Sequence, residues 1–306
     1  MKKLVALALT LMMSVSMAAC GNADTDTSGK AEGTVSDDAS GQEDGSGDSS
    51  TQPDEDTDTS ADKDADTSAA EGSDLEYVKE KGTLVIGITD FEPMDYQDEN
   101  GEWIGFDADL AKAFAESIGV SAEFIEIDWD NKILELDGKT IDCVWNGMTL
   151  TDEVTSSMDC SNAYCNNSQV VVVPADKEDQ YQDVESMSEL NFAVESGSAG
   201  EEQAKENGFN YTPVNAQADA LMEVAAGTSD AAIIDLLMAS AMVGEGTGYE
   251  NLAYTASLND EEYGVGFRKG SDLVAALNDF FAKSYEDGSM VKCAETYGVQ
   301  ATVIEQ

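Results

Sequence analysis

The stretch CVWNGMTLTDEV, Cys143 to Val154, brings together an apolar run, a glycine (Gly147), two hydroxyls (Thr149 and Thr151) and two acids (Asp152 and Glu153). Gly147 offers bare backbone, the threonines donate and accept hydrogen bonds, and Trp145 adds an aromatic face. No base accompanies them, and the whole chain contains no histidine. Ser-His-Asp and Cys-His chemistry is therefore excluded, as are the usual histidine-bearing zinc sites. Such a stretch can hold a small polar group by hydrogen bonds. Comparable polar stretches follow other apolar runs: TDFEPMDY, DWDN, ESGSAG and IIDLL.

Those stretches need elements to position them. TLVIGI (Thr83–Ile88) reads as a strand. In ADLAKAFAESIG, Leu110, Phe114 and Ile118 recur every four residues, Gly119 closes the helix, and Asp107 is the expected N-cap. AEFIEID reads as a strand, NKILELDGK as a short helix and IDCVWNG as a third strand. This alternation predicts a mostly parallel sheet with covering helices. The pattern repeats over about residues 169–257, where SQVVVVPA, FAVESG, YTPVN and AAIID alternate with helical segments. YGVGFRKGS is one more strand, and two helices finish the chain. Two α/β units predict two lobes, with a cleft between them, outside the carboxyl ends of the strands, as the expected site.

Composition divides the 306 residues sharply. Residues 1–20 read as a secretory signal, with Lys2 and Lys3 ahead of a short apolar run. The run ends in MAAC, which resembles a bacterial lipobox and makes Cys20 the expected lipidated residue. Plain secretion after SMA is the alternative. Residues 21–73 hold 16 acids, two lysines and a single large aliphatic residue, Val35. Such a segment buries too little apolar surface to offset its ordering entropy and reads as a disordered tether, with a reach of about 40 Å as a flexible coil. Residues 74–306 carry 47 acids against 11 bases. Nucleic acid is excluded as a partner, because phosphate binding needs clustered Lys and Arg. Cys143, Cys160, Cys165 and Cys293 form no C-x-x-C pair; a disulfide and free thiols both remain open.

Six stretches in order resemble the extracytoplasmic solute-binding proteins of amino-acid ABC importers, family 3, of the lipoprotein type. They are GTLVIGITDFEPMDY, GEWIGFDADLAKAFAESIG, KTIDCVWNGMTLTDE, FAVESGSAGEE, AAGTSDAAIID and YGVGFRKGSDL. The resemblance implies the two-lobe α/β fold of type II periplasmic binding proteins, with two α/β lobes joined by two hinge crossovers near Tyr164–Ser168 and Leu258–Glu262. Lobe 1 would comprise 74–165 plus 259–306, and lobe 2 would comprise 166–258. It also implies ligand-binding roles. Phe91 and Trp129 would wall the ligand side chain, with core packing as the alternative. The Gly147 carbonyl and Thr149 hydroxyl would receive an ammonium, or else form a plain strand-to-helix turn with Thr149 capping. Asp235 would pair with the ammonium, or cap the following helix. Ser198 and Ala199 would offer backbone N–H groups to an anion, or merely start a helix. Glu195 would face the ligand, or solvent, and Asp90 adds a further carboxylate.

One position departs from the pattern. The family often places a carboxylate-gripping arginine where this chain has Val154. The single arginine, Arg268, corresponds to a place on lobe 1 away from the ligand. Losing a charge-assisted hydrogen bond costs a carboxylate ligand on the order of 10²-fold in affinity. The site then reads as acid-rich with no cation, which favours a positively charged or zwitterionic amine, most simply an amino acid. The expected partners are that solute and a membrane permease; the membrane is met only through the lipid, and a monomer is expected. No catalysis, cofactor or metal is expected. A ligand sensor and a dehydratase on the same fold, with Glu195 or Glu153 as general acid, are the rival readings.

Overall fold

Short apolar runs become strands, and the residues that end them become turns. The computed structural model describes residues 73–306; the expected signal segment, Cys20 and the acidic stretch to residue 72 lie outside the described residues. Ser73 accepts a hydrogen bond from the Glu76 N–H and caps α1 (Asp74–Lys81). Then come β1 (Thr83–Ile88), a small ribbon of β2 (Tyr96–Gln97) and β3 (Trp103–Ile104), α2 (Phe106–Ile118) and β4 (Ser121–Glu126). After a 3-10 turn at Trp129–Asn131 come α3 (Lys132–Asp137), β5 (Cys143–Thr149), α4 (Asp152–Ser157), β6 (Asp159–Cys160) and β7 (Cys165–Asn167). The second sheet takes β8 (Gln169–Pro174), β9 (Asn191–Glu195), β10 (Asn210–Val214), β11 (Ala231–Asp235) and β12 (Leu252–Ser257). Between them lie α5 (Ala199–Glu206), α6 (Gln217–Ala226) and α7 (Leu236–Met242). β13 (Glu261–Phe267) returns to the first sheet, and α8 (Leu273–Glu286) and α9 (Ser289–Tyr297) follow.

The first sheet runs β4-β1-β5-β13-β6, with β7 also on β13; the second runs β10-β9-β11-β8-β12. Both are mixed rather than mostly parallel. β13 is antiparallel to β5, and β8 is antiparallel to β11 and β12. β8 and β13 enter their sheets straight from the other lobe, with no covering helix before them, so they arrive opposed to strands that helices return in parallel. Pro213 is tolerated because β10 is an edge strand.

Helix α2 shows how the periodicity is used. Leu110 and Phe114 are buried, and Gly119 closes the helix in a left-handed conformation, its N–H reaching the Ala115 and Glu116 carbonyls. Its start differs from expectation. Gly105 is the N-cap, and Asp107 lies inside the first turn, fully buried. Asp107 is held inward by the Gly147 N–H and the Tyr164 hydroxyl, each donating at 2.7 Å. Under the first sheet, Trp145 packs edge-on against Phe281, with ring centroids 5.6 Å apart, and both are fully buried. Side chains of this size each contribute about 1.5–3 kcal/mol on burial.

Arg268 follows β13 and ties it to α1. Its guanidinium pairs with Asp74 at 3.1 Å and donates to the Ile141 carbonyl at 2.8 Å. Cys143, Cys160, Cys165 and Cys293 are all free thiols. Among the described residues no helix is long and apolar enough to cross a membrane.

Candidate functional site

The carboxyl ends of β5, β9 and β11 meet between the two sheets. They surround an enclosed cavity lined by Gly147, Thr149, Glu195, Ser198, Ala199 and Asp235, with Trp129 and Lys132 from the turn after β4. Its volume is about 20 Å³. That admits about one water in this conformation. An open cleft of about 820 Å³ adjoins it and shares Thr149, Thr151, Ala199 and Glu202.

Asp235 ends β11 and is almost fully buried. It precedes α7 but makes no capping bond with its side chain. Its carboxylate instead accepts from the Tyr263 hydroxyl at 2.5 Å, from Gln169 Nε2 at 3.2 Å, and from the Asn167 and Gln217 side-chain amides. Asn167 and Gln169 also donate to Glu261, at 2.6 and 2.8 Å, so the two carboxylates share donors across the crossing strands. Burial, with the Glu261 charge adding, pushes the Asp235 carboxyl up to about 8.

Glu195 ends β9 and is only 2% exposed, so it does not face solvent. Its Oε1 has no hydrogen-bond partner among the described residues. Burial, and then the neighbouring Asp235, push it up to about 8. The cavity wall thus holds two carboxyls whose ionisation is suppressed by desolvation and by a neighbouring carboxylate, Asp235 beside Glu195 and Glu261 beside Asp235. A cation placed between them reverses both effects.

The reading of a site without a cation is corrected by Lys132. At the start of α3 its side chain is 6% exposed and lines the cavity. Its ammonium donates to the Gly197 carbonyl at 2.8 Å and the Trp129 carbonyl at 3.2 Å, and sits 5.0 Å over the Trp129 ring. The ring therefore already faces a cation of its own chain. Burial pulls the ammonium below the usual lysine range. Spacing alone gave no warning of this, because the Gly197 partner lies 65 residues away.

Gly147 forms the floor. Its φ is +54°, and a Cβ there would lie 2.5 Å from the Phe91 ring. Phe91 itself is buried beneath Gly147, edge-on to Tyr263 at 6.4 Å, and does not line the cavity. Thr149 donates to Glu261 at 3.0 Å; the cap of α4 is Thr151, whose hydroxyl accepts from the Val154 N–H. Val154 is buried in an apolar cluster with Trp129 and Met148. Ser198 caps α5, accepting from the Glu201 N–H at 3.2 Å. Asp90 is exposed and lines a separate cleft of about 280 Å³ with Glu92 and Glu126. The residues missed from sequence are Lys132, Gln217, Asn167, Gln169 and Glu261. Asn167 and Glu261 fall within the two expected crossovers and Gln217 lies just past a strand end, but nothing local marked any of the five as facing the cavity.

Comparison with known proteins accounts for this arrangement. A family described as bacterial extracellular solute-binding proteins, family 3, matches residues 84–300. The L-cystine-binding protein TcyJ of Escherichia coli strain K12 is 29% identical over 228 residues, covering 73% of this chain and 85% of TcyJ. A mutant of ArgBP from T. maritima superposes with a TM-score of 0.69 at 30% identity, over 73% of this chain and 98% of the other. The ancestral amino acid-binding protein AncCDT-1, a precursor of cyclohexadienyl dehydratase, gives a TM-score of 0.68 at 30% identity, over 74% and 99%. The matched span takes in every residue that lines the enclosed cavity, and with it the two-lobe arrangement, so this chain belongs to family 3 of the bacterial extracellular solute-binding proteins.

Proposed function

We propose that this protein captures an amino acid for an ABC importer and hands it to the membrane permease. The observation that carries the reading is the pair of buried carboxyls, Glu195 and Asp235, on the wall of an interlobe cavity, with Glu195 Oε1 unpartnered. A buried carboxylate is costly without a partner, and an ammonium supplies one. Phe91 acts from behind Gly147 rather than on the solute, and Asp90 contributes only long-range charge. The cavity is shut at about 20 Å³, so capture proceeds by a hinge motion of lobe 1 (74–165 plus 259–306) against lobe 2 (166–258). The names of the relatives, a cystine-binding and an amino acid-binding protein, support an amino acid as cargo. Cys20 anchors the chain to the cell membrane, and the protein acts as a monomer.

Calorimetric titration against the twenty amino acids, L-cystine and the polyamines tests this. Basic or neutral amino acids are expected to bind more tightly than glutamate or aspartate. Silence across the set sinks the reading, and tight glutamate binding refutes the expected preference. One observation favours a dehydratase instead: Glu195, pushed up to about 8, is protonated near neutral pH as a general acid must be. Turnover of prephenate-like substrates would establish it. The binding reading expects none.

A further inference from the structure

We propose that Lys132 is the carboxylate anchor of this cavity, so that the solute it selects is an α-amino acid rather than a simple amine. This rests on the amine-binding reading above and adds the second charge of the solute. Three observations converge on it. First, Lys132 is 6% exposed yet forms no salt bridge with any carboxylate among the described residues. Glu153, Glu195, Asp130 and Glu202 act on it only at longer range. A buried charge held by neutral carbonyls alone lacks a counterion. Second, an ammonium has three donors. Two are spent on the Gly197 and Trp129 carbonyls, which fix the head group and leave the third N–H without a protein acceptor. Third, the bond to Gly197 sets the ammonium beside Ser198 and Ala199, where α5 begins with its eight residues and its positive end.

The cavity is therefore bipolar. Glu195, with an unpartnered oxygen, and Asp235 make one pole, and Lys132 with the start of α5 makes the other. A zwitterion satisfies both poles at once; a polyamine leaves Lys132 unpaired and adds a like charge to it. The apolar Val154 gives the anion no charge of its own. Lys132 supplies that charge from a different element, the first turn of α3.

The test compares each of the twenty L-amino acids and L-cystine, as the free acid and as its carboxamide, on the wild type, Lys132→Met and Lys132→Gln, by competition against the tightest binder. The wild type is expected to prefer the free acid by on the order of 10²-fold, as one charge-assisted bond provides. Both variants should bring that preference below about 10-fold while still binding the carboxamide. The Gln variant keeps a donor without charge and stands in if Lys132→Met does not fold. If Lys132 only latches the lobes together through Gly197, acid and carboxamide weaken equally and the preference survives, which overturns the proposal. A wild type that binds acid and carboxamide alike also overturns it, while the amine-binding reading stands. Silence of the wild type toward every free acid overturns both.

Discussion

Glu195 shows what burial does to a single group. Its carboxyl sits at about 8 in the folded chain, against an ordinary value of 4.5, with burial as the first cause and Asp235 as the second. The folded protein therefore holds a proton that the unfolded chain has released between these two values. Stability from this group is fully present below about 4.5 and is lost as pH rises through about 8, at up to about 1.4 kcal/mol per pH unit. Asp235 acts in the same direction, being pushed up to about 8 from 3.8. We predict that Glu195→Gln unfolds at higher denaturant than the wild type at pH 8.5, and that the two converge near pH 5. Guanidinium titrations at the two pH values measure this; a wild type equally resistant at both would show that the carboxyl is not desolvated.

At the scale of elements, two turns meet across the lobes. Gly197, between β9 and α5, has φ +70°, and a Cβ there would lie 2.6 Å from Asp130 Cβ in the 3-10 turn after β4. The approach also lets the Gly197 carbonyl accept from Lys132. A methyl group at this point strains the backbone and wedges the turns apart. Gly197→Ala is predicted to weaken solute binding by at least about 10-fold, since a fraction of the closing energy of about 1.4 kcal/mol suffices, and to abolish any shrinkage of the molecule on solute binding. Small-angle scattering with and without solute decides it: an unchanged, solute-dependent compaction in the variant contradicts this account of closure.

For the whole molecule, the proposed reading gives the first 72 residues and residues 73–306 different work. The apolar run ending at Cys20 is short, and no helix among the described residues is long and apolar enough to cross a membrane. On the proposed reading, retention at the membrane depends on lipid at Cys20, since stable anchoring takes two acyl chains or their equivalent. Expressed in a bacterium that makes lipoproteins, the wild type should sediment with membranes and enter the detergent phase, and Cys20→Ser should appear in the soluble extracytoplasmic fraction. Equal membrane retention of both chains would remove the lipid from the account. Of the 47 acids of residues 74–306, Asp95, Asp107, Asp142, Glu195 and Asp235 are buried; the others leave a strongly acidic surface that repels anions and nucleic acid alike.

Much of this protein was settled by local pattern. The runs at β1, β5, β8 and β11, the four-residue stripe of α2 and the order of six short stretches were enough for two α/β units and a cleft at the strand ends, because apolar periodicity is a property of neighbours in sequence. Trp129, Gly147, Thr149, Glu195, Ser198, Ala199 and Asp235 were picked out by resemblance to the family rather than by periodicity, and they line one cavity. Tertiary structure decided the rest. The inward turn of Asp107 depends on Gly147 and Tyr164, 40 and 57 residues away. The antiparallel entry of β8 and β13 depends on where the chain crosses between lobes. The cation of the site depends most of all on folding. In the sequence, Lys132 is one lysine in an exposed-looking DWDNK, and it becomes a buried ammonium only because a glycine turn of the other lobe closes over it. Burial, and with it charge selectivity, is set by what packs on a residue from a distance, which no local pattern records.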